Sequence, residues 1–146
     1  MSFLVGLVVV FVTFWTMELV AWATHKYVMH GFLWSLHKDH HQVDKNKVLE
    51  KNDSFFLIFA IPGSTLIVFG EPLSFYIGIG ITLYGLAYFI IHEIFIHQRI
   101  KLFRSTKSRY LKAIRRAHKI HHKNLNKEDG SCFGMLIVPM KYLKLS

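Results

Sequence analysis

Cysteine is nearly absent from this chain of 146 residues, because Cys132 is the only one. A single cysteine excludes an intramolecular disulfide, and it also excludes the cysteine-rich sites that hold structural zinc or iron–sulfur clusters.

Lys and Arg are missing from two long stretches, 1–25 and 52–98. Because 52% of the residues are hydrophobic and the mean hydropathy is +0.31, we expect these stretches without Lys or Arg to lie in a membrane. At this length we expect a single domain spanning residues 1–146.

The net charge of +9 would suit a nucleic-acid-binding protein, but the positions of the basic residues argue against one. All eighteen fall in three places: five within 26–51, eleven within 99–127, and two at Lys141 and Lys144. Basic clusters that flank apolar stretches are typical of segments at a membrane surface. The sequence therefore predicts a lipid bilayer, and no nucleic acid, as the partner.

Three apolar stretches are candidates for membrane-spanning helices, namely Ser2–Thr24, Ser54–Gly70 and Leu73–Gln98. The first is too long and lacks the basic start of a signal peptide, so we interpret it as a membrane helix. With three spans, the segments after the first and third lie on one side of the membrane. These segments carry sixteen of the eighteen basic residues, which predicts the cytoplasmic side. A fourth span is the alternative if a stretch is subdivided or the C-terminal tail inserts.

Smaller features refine this topology. Gly78, Gly80 and Gly85 in the third stretch predict close helix packing. Tyr110–His122 has the pattern of an amphipathic helix, with an apolar and histidine-bearing face opposite a basic one. Cys132–Pro139 is apolar but too short to span, so we expect it to re-enter the interface or to pack over a site. The predicted fold is all-α: an integral membrane helical protein with about three to four spans and a cytosolic, histidine-rich helical cap.

The ten histidines all belong to one motif that occurs twice, HxxxxH followed by HxxHH. The first copy contains His25, His30, His37, His40 and His41, and the second contains His92, His97, His118, His121 and His122. Neutral imidazole is a strong ligand for transition metals, so a duplicated pattern that uses every histidine predicts a metal site. Ten histidines exceed what one ion binds, whereas two metals with four or five nitrogen ligands each would use them all.

The spacing within each motif has a geometric consequence. On an α-helix the outer histidines of HxxHH are four apart and share a face, and the middle one lies near that face. We therefore regard the outer histidines as the firmest ligands. The two histidines of HxxxxH are five apart, so at about 100° per residue their directions diverge by roughly 140°. They bind one metal only if the helix ends or distorts between them. Otherwise they bind two different metals, or one of them contacts a metal ligand and not the metal itself.

Three residues near the motifs bear on the site. Gly31 follows His30 and is a candidate end of that helix. Glu18 lies two helical turns before His25, so its carboxylate either points at the site or pairs with another polar group for packing. Glu93 adjoins His92 and is a candidate hydrogen-bond acceptor for an imidazole.

The histidine spacing resembles that of the membrane fatty acid hydroxylase/sterol desaturase superfamily, and most closely that of the bacterial β-carotene hydroxylases. The resemblance runs from near the N-terminus to Pro139. Besides the histidines it rests on Met17-Glu18, Lys26-Tyr27, Met29, Gly31, Trp34, Glu50, Asn52-Asp53, Tyr84-Gly85, Tyr88-Phe89, Gln98-Arg99, Tyr110-Leu111-Lys112, Ala117 and Phe133-Gly134. The chain departs from the pattern at Ile100-Lys101, where an aromatic-proline pair is expected, which leaves the substrate preference open.

This resemblance implies a non-haem di-iron monooxygenase of the bacterial inner membrane, with its metal site on the cytoplasmic face. All ten histidines would surround two iron ions as metal-binding and catalytic residues. The enzyme would be a β-carotene 3-hydroxylase that converts β-carotene through β-cryptoxanthin to zeaxanthin. Oxygen would come from O2, and electrons from reduced ferredoxin or another NAD(P)H-linked donor. A basic cytoplasmic face suits an acidic ferredoxin, although the positive-inside rule alone also explains that charge.

Two other readings stay open at this level. The same chemistry could act on another lipid, as in a fatty acid or sterol hydroxylase or desaturase, or a carotenoid ketolase. A membrane haem protein or a metal transporter is a different class. These would carry their ligands within the spans, whereas the histidines here lie at the ends of the spans and in the segments between them.

Overall fold

The computed structural model describes residues 1–42, 44, 47, 49–128 and 130–144, and the regular elements in this part of the chain are all helical. Six are α-helices: α1 (Phe3–Ala23), α2 (Trp34–His41), α3 (Ser54–Phe69), α4 (Pro72–Tyr88), α5 (Arg109–His121) and α6 (Met140–Lys144). Two π-helical segments, Thr24–Phe32 and Phe89–Ile96, continue α1 and α4, and a short 3₁₀ turn at Lys51–Asp53 leads into α3. The predicted all-α fold is confirmed.

Three continuous helical stretches are long and apolar enough to cross a membrane: Phe3–Phe32, Lys51–Phe69 and Pro72–Ile96. They correspond to the three predicted spans. Large apolar side chains along them remain exposed, for example Phe11 at 65% and Phe69 at 83%. Such exposure in water would be costly, so these faces are suited to contact lipid.

Glycine allows close packing of the membrane helices, as predicted. Gly78 and Gly80 serve this purpose, and Gly85 does not. A side chain at Gly78 would meet the backbone of α3 at the carbonyl oxygen of Gly63, 2.8 Å away. A side chain at Gly80 would meet α1 at the carbonyl oxygen of Val10, 2.9 Å away. Gly85 has open space where a side chain would be, so it does not serve this purpose. The third span thus packs against both of the others.

Local sequence explains where several helices begin. The hydroxyls of Ser2 and Ser108 accept hydrogen bonds from backbone N–H groups in the first turns of α1 and α5. Pro72 occupies the first turn of α4, where its fixed φ suits a helix and its missing N–H costs nothing. Helix α5 buries Ile114 and His118 among others on one face, which confirms the predicted amphipathic helix within one residue at either end.

The segment between α5 and α6 packs inward rather than spanning. Met135 and Leu136 are buried against Met17 of α1 and Tyr84 of α4. Of the two expectations for this apolar stretch, packing over the histidines agrees with its hydrogen bond from His25 Nδ1 to the carbonyl oxygen of Phe133 at 3.0 Å. It closes the cap against the membrane helices and brings backbone groups to the histidines.

Glu18 of α1 holds the segment before α6 against the membrane helices through hydrogen bonds. Its Oε1 accepts hydrogen bonds from the backbone N–H groups of Met135, Leu136 and Ile137 at 2.8–3.0 Å, and its Oε2 accepts from the Tyr84 hydroxyl at 2.8 Å. Of the two interpretations offered for this carboxylate, the packing one is correct. Four donors stabilise the buried charge, which removes the cost of placing it near a membrane span.

Candidate metal centre

The first HxxxxH motif lies within a π-helical segment, and the second begins in one and ends at His97, the residue directly after it, whose N–H donates to the carbonyl oxygen of His92 at 2.9 Å. This geometry explains how histidines five residues apart can face the same way. A π-helix closes its hydrogen bonds from residue i to i+5, so residues five apart come onto one face. His25 and His30 have ring centroids 5.2 Å apart, and those of His92 and His97 are 4.5 Å apart. The helix thus distorts at each motif, which is the condition under which one metal can use both histidines. Gly31 adopts non-helical angles (φ −101°, ψ −124°), and the segment ends one residue later.

The histidines form two clusters, in each of which the candidate ligand atoms all lie within 4.8 Å of one another. Cluster A contains His25, His30, His37, His41 and His121. Cluster B contains His40, His92, His97 and His118. Each cluster joins residues from both halves of the chain, so neither half makes a site alone.

The middle histidine of each HxxHH does not stay with its outer neighbours, contrary to expectation. His37 and His41 of α2 belong to cluster A, while His40 between them belongs to cluster B. On α5, His118 belongs to cluster B and the middle residue His121 to cluster A. Neighbouring residues on a helix differ in direction by about 100°, so a middle histidine faces away from the last one. The two helices therefore each contribute to both clusters.

His122 is the one predicted ligand that lies in neither cluster at this distance. Its ring stacks on His41 with centroids 4.4 Å apart and lies 4.5 Å from His118 and 4.8 Å from His97. The buried Nε2 atoms of His122 and His40 have no hydrogen-bond partner among the described residues. A buried polar atom without a partner is costly, and a metal ion would remove that cost.

Nδ1 of every cluster A histidine donates a hydrogen bond to a neutral oxygen. His37 donates to the side chain of Asn52 at 2.7 Å. The other four donate to backbone carbonyl groups at 2.8–3.0 Å, in the pairs His25–Phe133, His30–Lys127, His41–Asn124 and His121–Ser131. These hydrogen bonds set the tautomer, so that Nε2 carries the free lone pair and faces inward.

Burial keeps these imidazoles neutral. It lowers the pKa of His37 and of His121 to about 3, and that of His41 to about 4. In cluster B, burial also lowers the pKa of His40 and His118 well below the ordinary value of 6.5. Neutral imidazole is the form that binds metal.

The Nε2 atoms of cluster A approach one another closely. His30 Nε2 lies 3.2 Å from Nε2 of both His41 and His121, and His25 Nε2 lies 3.2 Å from that of His37. Because Nδ1 holds the proton in each ring, these contacts bring lone pairs together and are not hydrogen bonds. Nitrogen ligands at 2.0–2.1 Å from one metal ion are roughly 3.0–3.4 Å apart. The spacing thus fits a shared cation.

Cluster B differs in what supports its histidines. His40 Nδ1 donates to the Glu50 carboxylate at 2.7 Å, and His92 Nδ1 donates to the Glu93 carboxylate at 2.5 Å. The predicted role of Glu93 as an acceptor for an imidazole agrees with this contact. His97 and His118 bring their Nε2 atoms within 2.8 Å of each other.

Sequence reasoning assigned no role to several residues around the clusters. Glu50, Asn52 and the four carbonyl groups act through hydrogen bonds to Nδ1. Phe133 packs its ring 5.2–5.4 Å from those of His25, His30 and His121. A metal-bound histidine generally needs an acceptor at its other nitrogen, which predicts that such groups exist. Which residues supply them depends on the fold, because they are ten to more than a hundred residues away in the chain.

Comparison with known proteins agrees with the resemblance noted in the sequence. Residues 9–143 match the model of a family described as fatty acid hydroxylase. A beta-carotene hydroxylase of Pantoea ananas is 40% identical over 90% of this chain and 76% of its own length. One from Pseudescherichia vulneris is 38% identical over 91% and 77%, and one from Paracoccus sp. (strain N81106 / MBIC 01143) is 35% identical over 90% and 83%. No solved structure matches the chain. The chain belongs to the fatty acid hydroxylase family.

Proposed function

We propose that this chain is a membrane-bound di-iron monooxygenase that hydroxylates carbon 3 of each β-ionone ring of β-carotene, forming β-cryptoxanthin and then zeaxanthin. Its similarity to beta-carotene hydroxylases over most of the chain supports this substrate. The observation that carries the metal site is the close approach of deprotonated Nε2 atoms within cluster A, 3.2 Å apart. Together with cluster B it supports two bound metals.

Each residue group has a distinct task in this proposal. Cluster A would hold one iron and cluster B the other, with His122 beside both as a further ligand or a neighbour of one. Bound iron would supply the redox chemistry that activates O2. Burial keeps these imidazoles neutral, and the hydrogen bonds at Nδ1 orient them with Nε2 free to bind a metal, which lowers the cost of assembling the site.

The reaction consumes O2, two electrons and two protons for each hydroxyl group. One oxygen atom enters the C–H bond of the substrate and the other leaves as water. We propose reduced ferredoxin, or another donor driven by NAD(P)H, as the source of electrons. The basic residues of 99–127 would form its docking surface, because acidic carriers associate faster with a basic face.

The proposed orientation places both clusters at the cytoplasmic surface of a bacterial inner membrane. The histidines lie at the ends of the first and third spans and in the segments after them, and these segments carry most of the Lys and Arg residues. The spans would admit the apolar substrate from the bilayer, and their exposed apolar side chains suit this environment. A soluble donor would then reach the metals without crossing the membrane.

The proposal is tested by expressing the chain in bacteria that accumulate β-carotene, with chromatography and mass spectrometry of the pigments. We expect products with one and two added hydroxyl groups, and none from His41→Ala or His122→Ala variants that still insert in the membrane. Ser35→Ala is a matched control, since Ser35 is exposed on the same helix as His41. Unchanged β-carotene with the protein present would point to another lipid, and a keto product to another oxidation. Normal turnover by His41→Ala would contradict the di-iron site.

A further inference from the structure

The supports of the two clusters differ in charge. All five histidines of cluster A donate Nδ1–H to neutral oxygens. In cluster B, His40 and His92 donate to the carboxylates of Glu50 and Glu93. A carboxylate at Nδ1 makes the imidazole a stronger electron donor through Nε2, whereas an amide or carbonyl oxygen does so less. A metal in cluster B would therefore be held more tightly.

One guanidinium organises both carboxylates. Arg99 Nη2 lies 2.8 Å from Glu50 Oε2, and its Nε lies 2.8 Å from Glu93 Oε2. Arg99 Nη1 lies 2.9 Å from Asp53 Oδ1. The side chain is 29% exposed, while those of Glu50 and Glu93 are 14% and 12% exposed. Each nitrogen of the guanidinium thus lies beside a different carboxylate, and these ion pairs keep the three carboxylates close to Arg99.

The backbone around Arg99 is shaped to deliver this side chain. Gln98 has a φ of 58°, a left-handed conformation that is uncommon for residues other than glycine. This turn reverses the chain directly after His97. The N–H of Arg99 then donates to the carbonyl oxygen of Glu93 at 3.0 Å.

Glu50 is tied to the same network from its own side. Its backbone N–H donates to Asp53 Oδ2 at 3.0 Å, and Asp53 in turn pairs with Arg99. Without the guanidinium, three carboxylates in close proximity would repel one another. Arg99 therefore holds the carboxylates of Glu50 and Glu93 in the positions where they accept from His40 and His92.

We propose that Arg99 is a positioning residue for cluster B, and that its carboxylate pairs make cluster B the tighter of two unequal metal sites. The inference rests on the dimetal site proposed above. In this role Arg99 acts through Glu50 and Glu93, whose carboxylates accept from His40 and His92. Cluster A, whose supports are neutral, would release its metal first.

The test uses the full-length protein in detergent, loaded with ⁵⁷Fe²⁺ without oxygen and challenged with increasing chelator. Iron per chain and Mössbauer spectra are recorded at each step. In the unsubstituted protein we expect two irons with distinct quadrupole doublets, released at chelator concentrations that differ at least about tenfold. In Arg99→Gln the later release should move to chelator concentrations about 10–100-fold lower, with only one doublet altered. Arg99→Lys should restore part of the difference because it keeps the charge.

A second variant tests the inference from the other cluster, in case Arg99→Gln does not fold. Asn52→Asp is nearly isosteric and places a carboxylate at Nδ1 of His37. We expect Asn52→Asp to shift the release of iron from cluster A to higher chelator concentration, closer to that at which cluster B releases its iron. Simultaneous release in the unsubstituted protein, or equal loss from both sites in Arg99→Gln, would overturn the inference and leave the dimetal site intact. A protein that binds no iron would overturn the dimetal site itself.

Discussion

Clusters A and B both take histidines from the two copies of one motif, but different kinds of group support these histidines. Four of the five acceptors in cluster A are backbone carbonyl groups of residues 124–133, the segment that follows α5. The acceptors identified in cluster B are side-chain carboxylates, joined by a guanidinium. Cluster A thus depends on the path of a loop, and cluster B on a set of charges.

The largest effect that we expect comes from replacing either of two adjacent histidines that belong to different clusters. His40 and His41 are neighbours on α2, yet they belong to clusters B and A. We expect His40→Ala and His41→Ala each to lower hydroxylation by more than about 100-fold, because even groups behind metal ligands contribute 10–100-fold. Metal analysis should show that the two variants lose different irons. Loss of the same iron from both would contradict the crossing of the middle histidines.

The next largest effect concerns the stability of the metal-free protein, whose dependence on pH tests the burial of the cluster A histidines. Burial lowers the pKa of His37 and His121 to about 3, so between about pH 6.5 and 3 the unfolded chain binds more protons than the folded one. The free energy of unfolding should therefore fall as the pH falls from 6.5. The expected slope is at least about 1.4 kcal/mol per pH unit.

Chemical denaturation between pH 7.5 and 4.5 measures this slope. Carboxylates titrate mainly below this range, so the upper part of the curve reports on the histidines. Stability that stays constant from pH 7.5 to 5 would contradict the buried, neutral state of these imidazoles. Replacing His37 by Gln in the metal-free protein should reduce the slope, because it removes one of the groups that titrate.

Replacing Glu18 tests whether cluster A depends on the position of the segment that follows α5. Glu18→Gln removes the charge that accepts three backbone N–H groups of residues 135–137, next to the carbonyl that holds His25. We expect a loss of about 2–3 kcal/mol and a melting temperature about 5 °C lower or more. Glu71→Gln is the matched control, since Glu71 is exposed beside the start of α4. Equal melting temperatures for the two variants would contradict this role.

The smallest expected effect comes from Tyr110, whose hydroxyl donates to the carbonyl oxygen of Leu136 at 2.7 Å. Tyr110→Phe keeps the ring and removes one partly buried hydrogen bond, so we expect a loss of about 1 kcal/mol. Thermal unfolding in detergent measures it. Tyr27→Phe serves as a control because Tyr27 is 58% exposed. A larger loss than that of Glu18→Gln would show that Tyr110, rather than Glu18, holds the loop.

Much of the architecture could be predicted from local patterns. Apolar length predicted the three spans, and periodicity predicted α5, because both depend on residues close together in the chain. The HxxxxH spacing indicated that the helix distorts, but not how. The π-helical geometry at His25–His30 and His92–His97 depends on the packing around each segment. The role of Gly85 was mispredicted, since spacing alone does not say which face of a helix meets a neighbour.

The sequence by itself determined the membrane-embedded helical fold and the recruitment of ten histidines as candidate metal ligands, since hydrophobic length and donor chemistry are properties of the residues themselves. Only the tertiary structure decided how the histidines divide into clusters A and B, and which groups hold their Nδ1 atoms. Contacts such as His25 with Phe133, more than a hundred residues apart, follow from how α5 and the loop after it pack against the spans. Metal coordination depends on directions in space, and those directions arise only when distant segments come together.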